Sequence, residues 1–286
     1  MQKYVVYYNP LSANGKGKEE AQKIEEFLKD SEFTYEDATQ AGDEAELLKK
    51  LPEDVIPVFT GGDGTVNFVV NAIKKSGTKR PVWFFPAGSG NDFCRDIGRE
   101  KNLAPFEINE YAEHLPRVTV QGKTMYFVDN VGAGIDGYCC EESDRLKSIG
   151  KHQSYQMIAV KGLLGKWNPV DAKVTVDGVT REYKKIYMAP VMFGRYYGGG
   201  IKIAPSQDRK NPDHKVTNVV AWAKNRLQGV FLFLSILMGN AEKLTKNIEF
   251  HEGYDVKVEF SPAVAVQIDG ETFTNVTEYE VHADRT

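Results

Sequence analysis

Only three cysteines occur in 286 residues, Cys94 alone and Cys139 beside Cys140, which supplies neither a disulfide framework nor a zinc-ligand spacing. A reducing, cytoplasmic setting is the expectation. Basic residues are not in excess: 36 Lys and Arg stand against 40 Asp and Glu, a formal net charge of −4, so the chain lacks the positive field of a nucleic-acid-binding protein. No nucleic-acid partner is expected. The longest apolar run, Gly229 to Met238, is about half the roughly 20 residues of a membrane-spanning helix. The opening MQKYVVYYNP has neither the long apolar region nor the cleavage site of a secretory signal. His114, His152, His214, His251 and His282 are scattered without ligand spacing, and no internal repeat or low-complexity tract is present.

What is present changes character along the chain. Up to about residue 115, short apolar runs (4–8, 33–38, 55–59 and 82–85) alternate with helical patterns over 43–51, over 65–76 and through Ala21, Ile24, Phe27 and Leu28. The runs at 4–8, 55–59 and 82–85 are almost continuously apolar, as in strands buried on both faces of a parallel sheet. Residues 1–115 are therefore expected to form a doubly wound, Rossmann-like α/β domain. From about 117 the period becomes two, at 118–121, 125–130, 173–178, 216–220, 255–260 and 264–268, with helical stretches near 138–166 and 225–238. That predicts an antiparallel, sandwich-like β domain over 116–286, with the last residues expected to pack back on the first domain.

Three strands of the first half run straight into polar loops: NPLSANGKGK at 9–18, TGGDGT at 60–65 and PAGSGND at 86–92. In an open parallel sheet all three emerge at the carboxyl edge, where ligands bind. Their glycines allow backbone N–H groups to approach a ligand closely, and following helix N-termini favour anions, so the edge is a candidate phosphate cradle. Asp63, between Gly62 and Gly64, is placed to hold Mg²⁺ on a triphosphate, to accept a proton from an attacking hydroxyl, or to cap the following helix. Lys16 and Lys18 offer charge neutralisation.

In that order, NP-x-S-x-x-GKG, GGDGTVN and PAGSGNDF resemble the catalytic domain of the diacylglycerol kinase and sphingosine kinase superfamily. The third motif discriminates, because a GGDGT-type loop is shared with NAD kinases. NVGAGID at 130–136, GGGIKIAP at 198–205 and DGE at 269–271 extend the resemblance over nearly the whole chain. It implies ATP and Mg²⁺ as cofactors, a cleft between the two domains, and a lipid substrate met by transient association with a membrane surface, with a homodimer left open. By the same resemblance Asn9, Ser12, Lys16, Gly61, Gly62, Gly64, Thr65, Gly88, Ser89, Asn91 and Asp92 bind nucleotide. Glu271 and Asp63 are catalytic, Asp63 and Asp269 are candidate metal ligands, and Glu271 stands where the family has its base. The residues 267–273 also have the pattern of a two-residue β-hairpin turn, which is compatible with that role.

Three departures stand out. Phe68 occupies a position where many members have Glu, Thr119 one where an Asp is usual, and DRKNPDHK follows Ala204-Pro205 where Asp-Gly is usual. They leave open which lipid is phosphorylated, and keep an NAD kinase-type enzyme and a non-catalytic nucleotide- or lipid-binding regulator as alternatives.

Overall fold

The computed structural model describes residues 1–40, 44–88, 90–99, 104–151, 153–165 and 167–285. The chain divides into two compact units, Met1–Leu115 and Pro116–Thr286.

The first unit comprises β1 (Gln2–Tyr8), α1 (Ser12–Gly15), α2 (Gly17–Gln22), β2 (Ser31–Asp37), α3 (Glu44–Lys50), β3 (Val55–Gly61), α4 (Asp63–Ser76), β4 (Trp83–Pro86), α5 (Asp92–Asp96) and β5 (Phe106–Glu107). Its sheet runs β2-β1-β3-β4-β5, parallel through the first four strands and antiparallel at β5. Consecutive residues of β1 are buried on alternating faces. Tyr4 and Val6 join Ala21, Ile24, Val58 and Phe85 in one cluster, whereas Tyr7 stacks on Phe59 and Phe59 meets Phe68. Both faces are therefore covered, which is why these strands read as unbroken apolar runs. In α4, Val66, Val69, Val70 and Ile73 form the buried stripe, and Gly77, at φ +64°, ends the helix by donating its N–H to the Ile73 carbonyl at 3.0 Å.

Two boundaries differ from the sequence pattern. Helix α4 begins at Asp63 rather than near residue 65, because the Gly62 carbonyl already accepts from the Thr65 and Val66 N–H groups. The helix predicted after β1 stops at Gln22 and tightens into a 3₁₀ turn over Lys23–Glu26. Ala21 and Ile24 stay buried, while Phe27 is largely exposed and only its ring edge meets Phe85.

The second unit holds β6 (Arg117–Val120), β7 (Lys123–Tyr126), β8 (Asn130–Ala133), α6 (Ile135–Ser148), α7 (Tyr155–Leu164), β9 (Val170–Val176), β10 (Val179–Met188), β11 (Val191–Met192), β12 (Tyr196–Tyr197), β13 (Ile201–Lys202), β14 (Val216–Trp222), α8 (Arg226–Leu237), β15 (Ile248–Gly253), β16 (Asp255–Ile268) and β17 (Glu271–His282). The ladder order is β7-β6-β17-β16-β8-β11-β14-β10-β9, with β15 on the free side of β14 and β12 paired with β13. It closes on itself through β16. Residues 256–261 of that strand pair with β9, and residues 266–268, beyond a register shift, pair with β8. The runs at 255–260 and 264–268, read as two strands, are thus one strand serving two layers. Conversely the run at 125–130 is split, since β7 ends at Tyr126 and β8 starts at Asn130. The residues from Glu271 to His282 form β17 in this sheet.

The helical stretch at 138–166 is likewise two helices, the second capped by Ser154, whose Oγ accepts from the Met157 N–H at 3.3 Å. Helices α6, α7 and α8 bury Ile135, Ile158, Leu163, Leu232, Phe233 and Ile236 against Tyr187, Met188 and Val219 of the sheet. Elsewhere in the core the fully buried Tyr279 of β17 donates its hydroxyl to the Ala189 carbonyl at 2.8 Å. Tyr279→Phe should therefore lower stability by about 1 kcal/mol, seen as a reduced denaturant midpoint with an unchanged slope.

Candidate active site

The three polar loops do leave one edge of the first unit's sheet, at the carboxyl ends of the parallel strands β1, β3 and β4. Past the strands the ladder continues for one more bond, from the Ala87 N–H to the Gly61 carbonyl at 2.8 Å, which draws the second and third loops together. A Cβ built on Gly88 would lie 2.4 Å from the Gly62 Cα, and one on Gly61 would lie 2.0 Å from Thr65 Oγ1. Side chains are therefore excluded where the loops meet, leaving bare backbone, while Gly64 has open space around it.

Asp63 occupies the first turn of α4 and is half-buried. Its Oδ1 accepts from the Phe93 N–H at 3.0 Å, so it caps α5, not its own helix. Asn91 precedes α5 in the left-handed region at φ 51°. Its Nδ2 donates to the Gly88 carbonyl at 2.7 Å, and its buried Oδ1 has no hydrogen-bond partner among the described residues. The Thr60 hydroxyl, at the end of β3, is a second such orphan that the sequence pattern did not single out. Two unsatisfied buried polar atoms beside a backbone cradle fit a site completed by a polar ligand. Asp92, by contrast, is buried and its Oδ1 pairs with Arg95 at 2.8 Å. Ser89 lies outside the described residues.

In the first loop Asn9 is folded on its own backbone. Its side-chain oxygen accepts from the Leu11 N–H at 2.8 Å, and its carbonyl accepts from the Ser12 N–H and hydroxyl. A Cβ at Gly17 would come within 1.9 Å of that carbonyl, so the GKG sequence packs the loop tightly with Lys16 and Lys18 exposed.

The DGE segment lies in the second unit. Asp269 and Gly270, at φ 44° and 93°, are the two-residue turn between β16 and β17, and Glu271 is the first, exposed residue of β17, opposite Ile268. The Asp269 carboxylate accepts from the backbone N–H groups of Val128, Asp129 and Asn130 at 2.6–2.9 Å. Its two oxygens are thus engaged by backbone donors, which gives the candidate metal ligand a role in holding the turn. Gln267 fastens the other side of the turn: its Oε1 accepts from the Gly270 N–H at 2.7 Å, and its Nε2 donates to Asn130 Oδ1 and Asp136 Oδ2.

Sequence reasoning gave little weight to Asp136 and none to Arg209. The Arg209 guanidinium forms a buried pair with Asp129 at 2.7 Å and also donates to the Val128 carbonyl. The segment that replaces the usual Asp-Gly thus supplies a cation that steadies the strip on which Asp269 is fixed. Gly132 and Gly134 explain much of NVGAGID, since a Cβ at the first would strike the Asp136 carboxylate and at the second the Tyr187 carbonyl. The glycines at 198–200, all at positive φ, serve the turn between β12 and β13. Phe68 packs on Phe59, and Thr119 exchanges a hydroxyl bond with Thr124 across the β6–β7 hairpin.

Burial raises the Asp136 carboxyl from the ordinary 3.8 to about 6, against the opposing hydrogen bond from Gln267. The folded chain therefore retains a proton that the unfolded chain has lost, and folding stability falls as pH rises between about 4 and 6. Asp136→Asn keeps the acceptor for Gln267 and removes the charge. Relative to wild type the variant should gain about 3 kcal/mol on going from pH 4 to above pH 6, measured by denaturant unfolding across that range.

Comparison with known proteins agrees with this architecture. Residues 3–120 match the family described as diacylglycerol kinase catalytic domain, and residues 129–282 match the YegS C-terminal NAD kinase beta sandwich-like domain. A diacylglycerol kinase of Bacillus subtilis is 25% identical over 280 residues, covering 95% of this chain and 90% of that protein. A diacylglycerol kinase of Mycobacterium tuberculosis is 26% identical over 221 residues, covering 75% and 69%. In fold, the crystal structure of a diacylglycerol kinase from Bacillus anthracis superposes with a TM-score of 0.66 at 20% identity, over 99% of this chain and 94% of that one. With both units matched, the chain belongs to the diacylglycerol kinase catalytic-domain family of lipid kinases.

Proposed function

We propose that this chain is an ATP-dependent lipid kinase that phosphorylates the hydroxyl of diacylglycerol or a closely related lipid. The observation that carries the reading is the junction of Gly62 and Gly88, where two loops meet as bare backbone beside Asp63 and the unpartnered oxygens of Asn91 and Thr60. Phosphoryl transfer asks a protein mainly to position phosphates and to stabilise charge, and N–H groups at such a junction and at the start of α4 do both. Asp63 has one oxygen fixed by the Phe93 N–H, so its carboxylate is held at the mouth of the phosphate loop. It is the residue that would hold Mg²⁺, which supplies charge neutralisation on the triphosphate.

Glu271 is the residue we assign to accept the proton from the lipid hydroxyl. Support comes from its exposure and from its rigid mount on a two-residue turn whose Asp269 and Gln267 side chains are both engaged. Relatives named diacylglycerol kinases favour diacylglycerol as acceptor. Phe68 packs on Phe59 and Thr119 bonds to its hairpin partner, so both departures have a structural role, and turnover itself tests the non-catalytic alternative.

Incubation with labelled ATP and diacylglycerol, ceramide, sphingosine, polyprenol or NAD should give a labelled lipid, best with diacylglycerol. Labelled NADP with no lipid product would overturn the reading. Gly62→Val should leave unfolding cooperative and weaken ATP binding, because the added methyls enter the junction with Gly88. Unchanged affinity would remove the cradle. Glu271→Gln should lower kcat by about 10²–10⁴-fold with ATP affinity little changed, as loss of a general base requires. Asp63→Asn should impair Mg²⁺-dependent ATP use as well. Near-wild-type turnover in Glu271→Gln would move the base to Asp63.

A further inference from the structure

Helices α7 and α8 depart from the usual amphipathic rule. Each buries one apolar face in the second unit's core, yet the outward face is apolar too. On α8 and at its C-cap, Leu227, Phe231, Leu234 and Met238 are exposed by 67%, 62%, 39% and 70%. Their spacings of four, three and four residues set them in one ridge along the solvent side. On the adjoining α7, Met157 and Leu164 are 51% and 66% exposed, seven residues apart, with Lys161 between them. The helices are tied together by Arg226 at the start of α8, whose guanidinium donates to the Leu163 carbonyl at 3.2 Å. A helix apolar all round is one whose outer face also meets something apolar, and a contiguous exposed patch of this kind marks an interaction surface.

The charge around the ridge selects its partner. The described residues within 149–170 and 223–241 carry Lys151, Lys161, Lys224 and Arg226 and no Asp or Glu, in a chain whose net charge is −4. An apolar ridge flanked by lysines suits the boundary between acyl chains and anionic headgroups. It does not suit a second copy of this chain, since a two-fold contact would set each basic rim against the other.

We propose that the outer faces of α7 and α8 form a docking surface for anionic lipid bilayers, with Leu227 and Phe231 entering the interface and Lys161 and Lys224 meeting headgroups. The inference rests on the lipid-kinase reading for its purpose, since it names the surface on which the chain meets its substrate, but its test is independent of catalysis.

The test is co-sedimentation of the full chain with phosphatidylcholine vesicles, with and without phosphatidylglycerol, in the absence of nucleotide and of any acceptor lipid. Binding should require phosphatidylglycerol and weaken as salt is raised. Leu227→Gln with Phe231→Gln should reduce it about tenfold or more, as expected when two inserted apolar side chains are lost. Lys161→Gln with Lys224→Gln should flatten the salt dependence. Val179→Gln, at an equally exposed apolar position on the β9–β10 turn, should bind as wild type does. These residues are exposed, so the variants should keep the wild-type thermal transition, which confirms that the fold is intact. Failure of the wild-type chain to bind phosphatidylglycerol vesicles, or full binding by the Leu227/Phe231 variant, would overturn the proposal. So would a dimer in gel filtration that this variant dissociates, which would give the ridge to a second copy.

Activity separates this inference from the kinase reading. The Leu227/Phe231 variant should phosphorylate water-soluble dihexanoylglycerol at the wild-type rate while losing turnover on vesicle-borne diacylglycerol. Absence of activity on both substrates in the wild-type chain would count against the kinase reading and leave the vesicle result standing.

Discussion

Gly62 and Gly88 approach so closely that a Cβ on the second would lie 2.4 Å from the first's Cα, and the carboxyl edge of the first unit's sheet is built around that contact. The Ala87 to Gly61 backbone bond closes the two loops on each other, Thr65 folds over Gly61, and Asn91 bonds back to the Gly88 carbonyl. Asp63 completes the arrangement by capping α5 through the Phe93 N–H. A side chain at Gly88 would force the loops apart and disturb the register on which Asp63 and Asn91 depend, while a Cβ at Gly62 would press on the Gly88 Cα at 3.2 Å. Among the described residues, buried oxygens on Thr60 and Asn91 have no partner, as at an edge whose hydrogen-bonding capacity is left for a ligand.

The second unit solves a different problem, that of holding an exposed acidic residue steady at a hairpin tip. Tight turns with two positive φ angles are well formed but exposed, and alone they do not immobilise the strands they join. Here the turn is fixed from both sides. The Asp269 carboxylate gathers three successive N–H groups from residues 128–130, and Gln267 spans from the Gly270 N–H to the buried side chains of Asn130 and Asp136. The strip 128–130 is itself secured by the buried Arg209–Asp129 pair. A neutral or half-neutral Asp136 costs less in this interior than a full charge, which is the physical meaning of its raised pKa. Polar groups so deeply placed are tolerated because nearly all their bonding capacity is used.

Composition and period alone determined the α/β character of the first half, its carboxyl-edge loops and the antiparallel character of the second, because these follow from which faces of a strand must be apolar. Gly61, Gly62, Gly88 and Asp63 stood out as candidates for the same kind of reason: three polar, glycine-rich loops follow buried strands at one edge of the sheet. The hairpin at 269–270 was legible from Asp-Gly between two alternating runs. Tertiary structure decided what each carboxylate touches. Asp269 and Asp92 look in sequence like Asp63, but backbone amides surround the first and Arg95 neutralises the second, and those partners lie where only folding brings them. Asp136, Gln267 and Arg209 carry no local signal because their contacts span 80 to 137 residues of chain. The same holds for the outward ridge of α8: the sequence shows an apolar helix, and only packing against the sheet reveals which of its apolar residues are left outside.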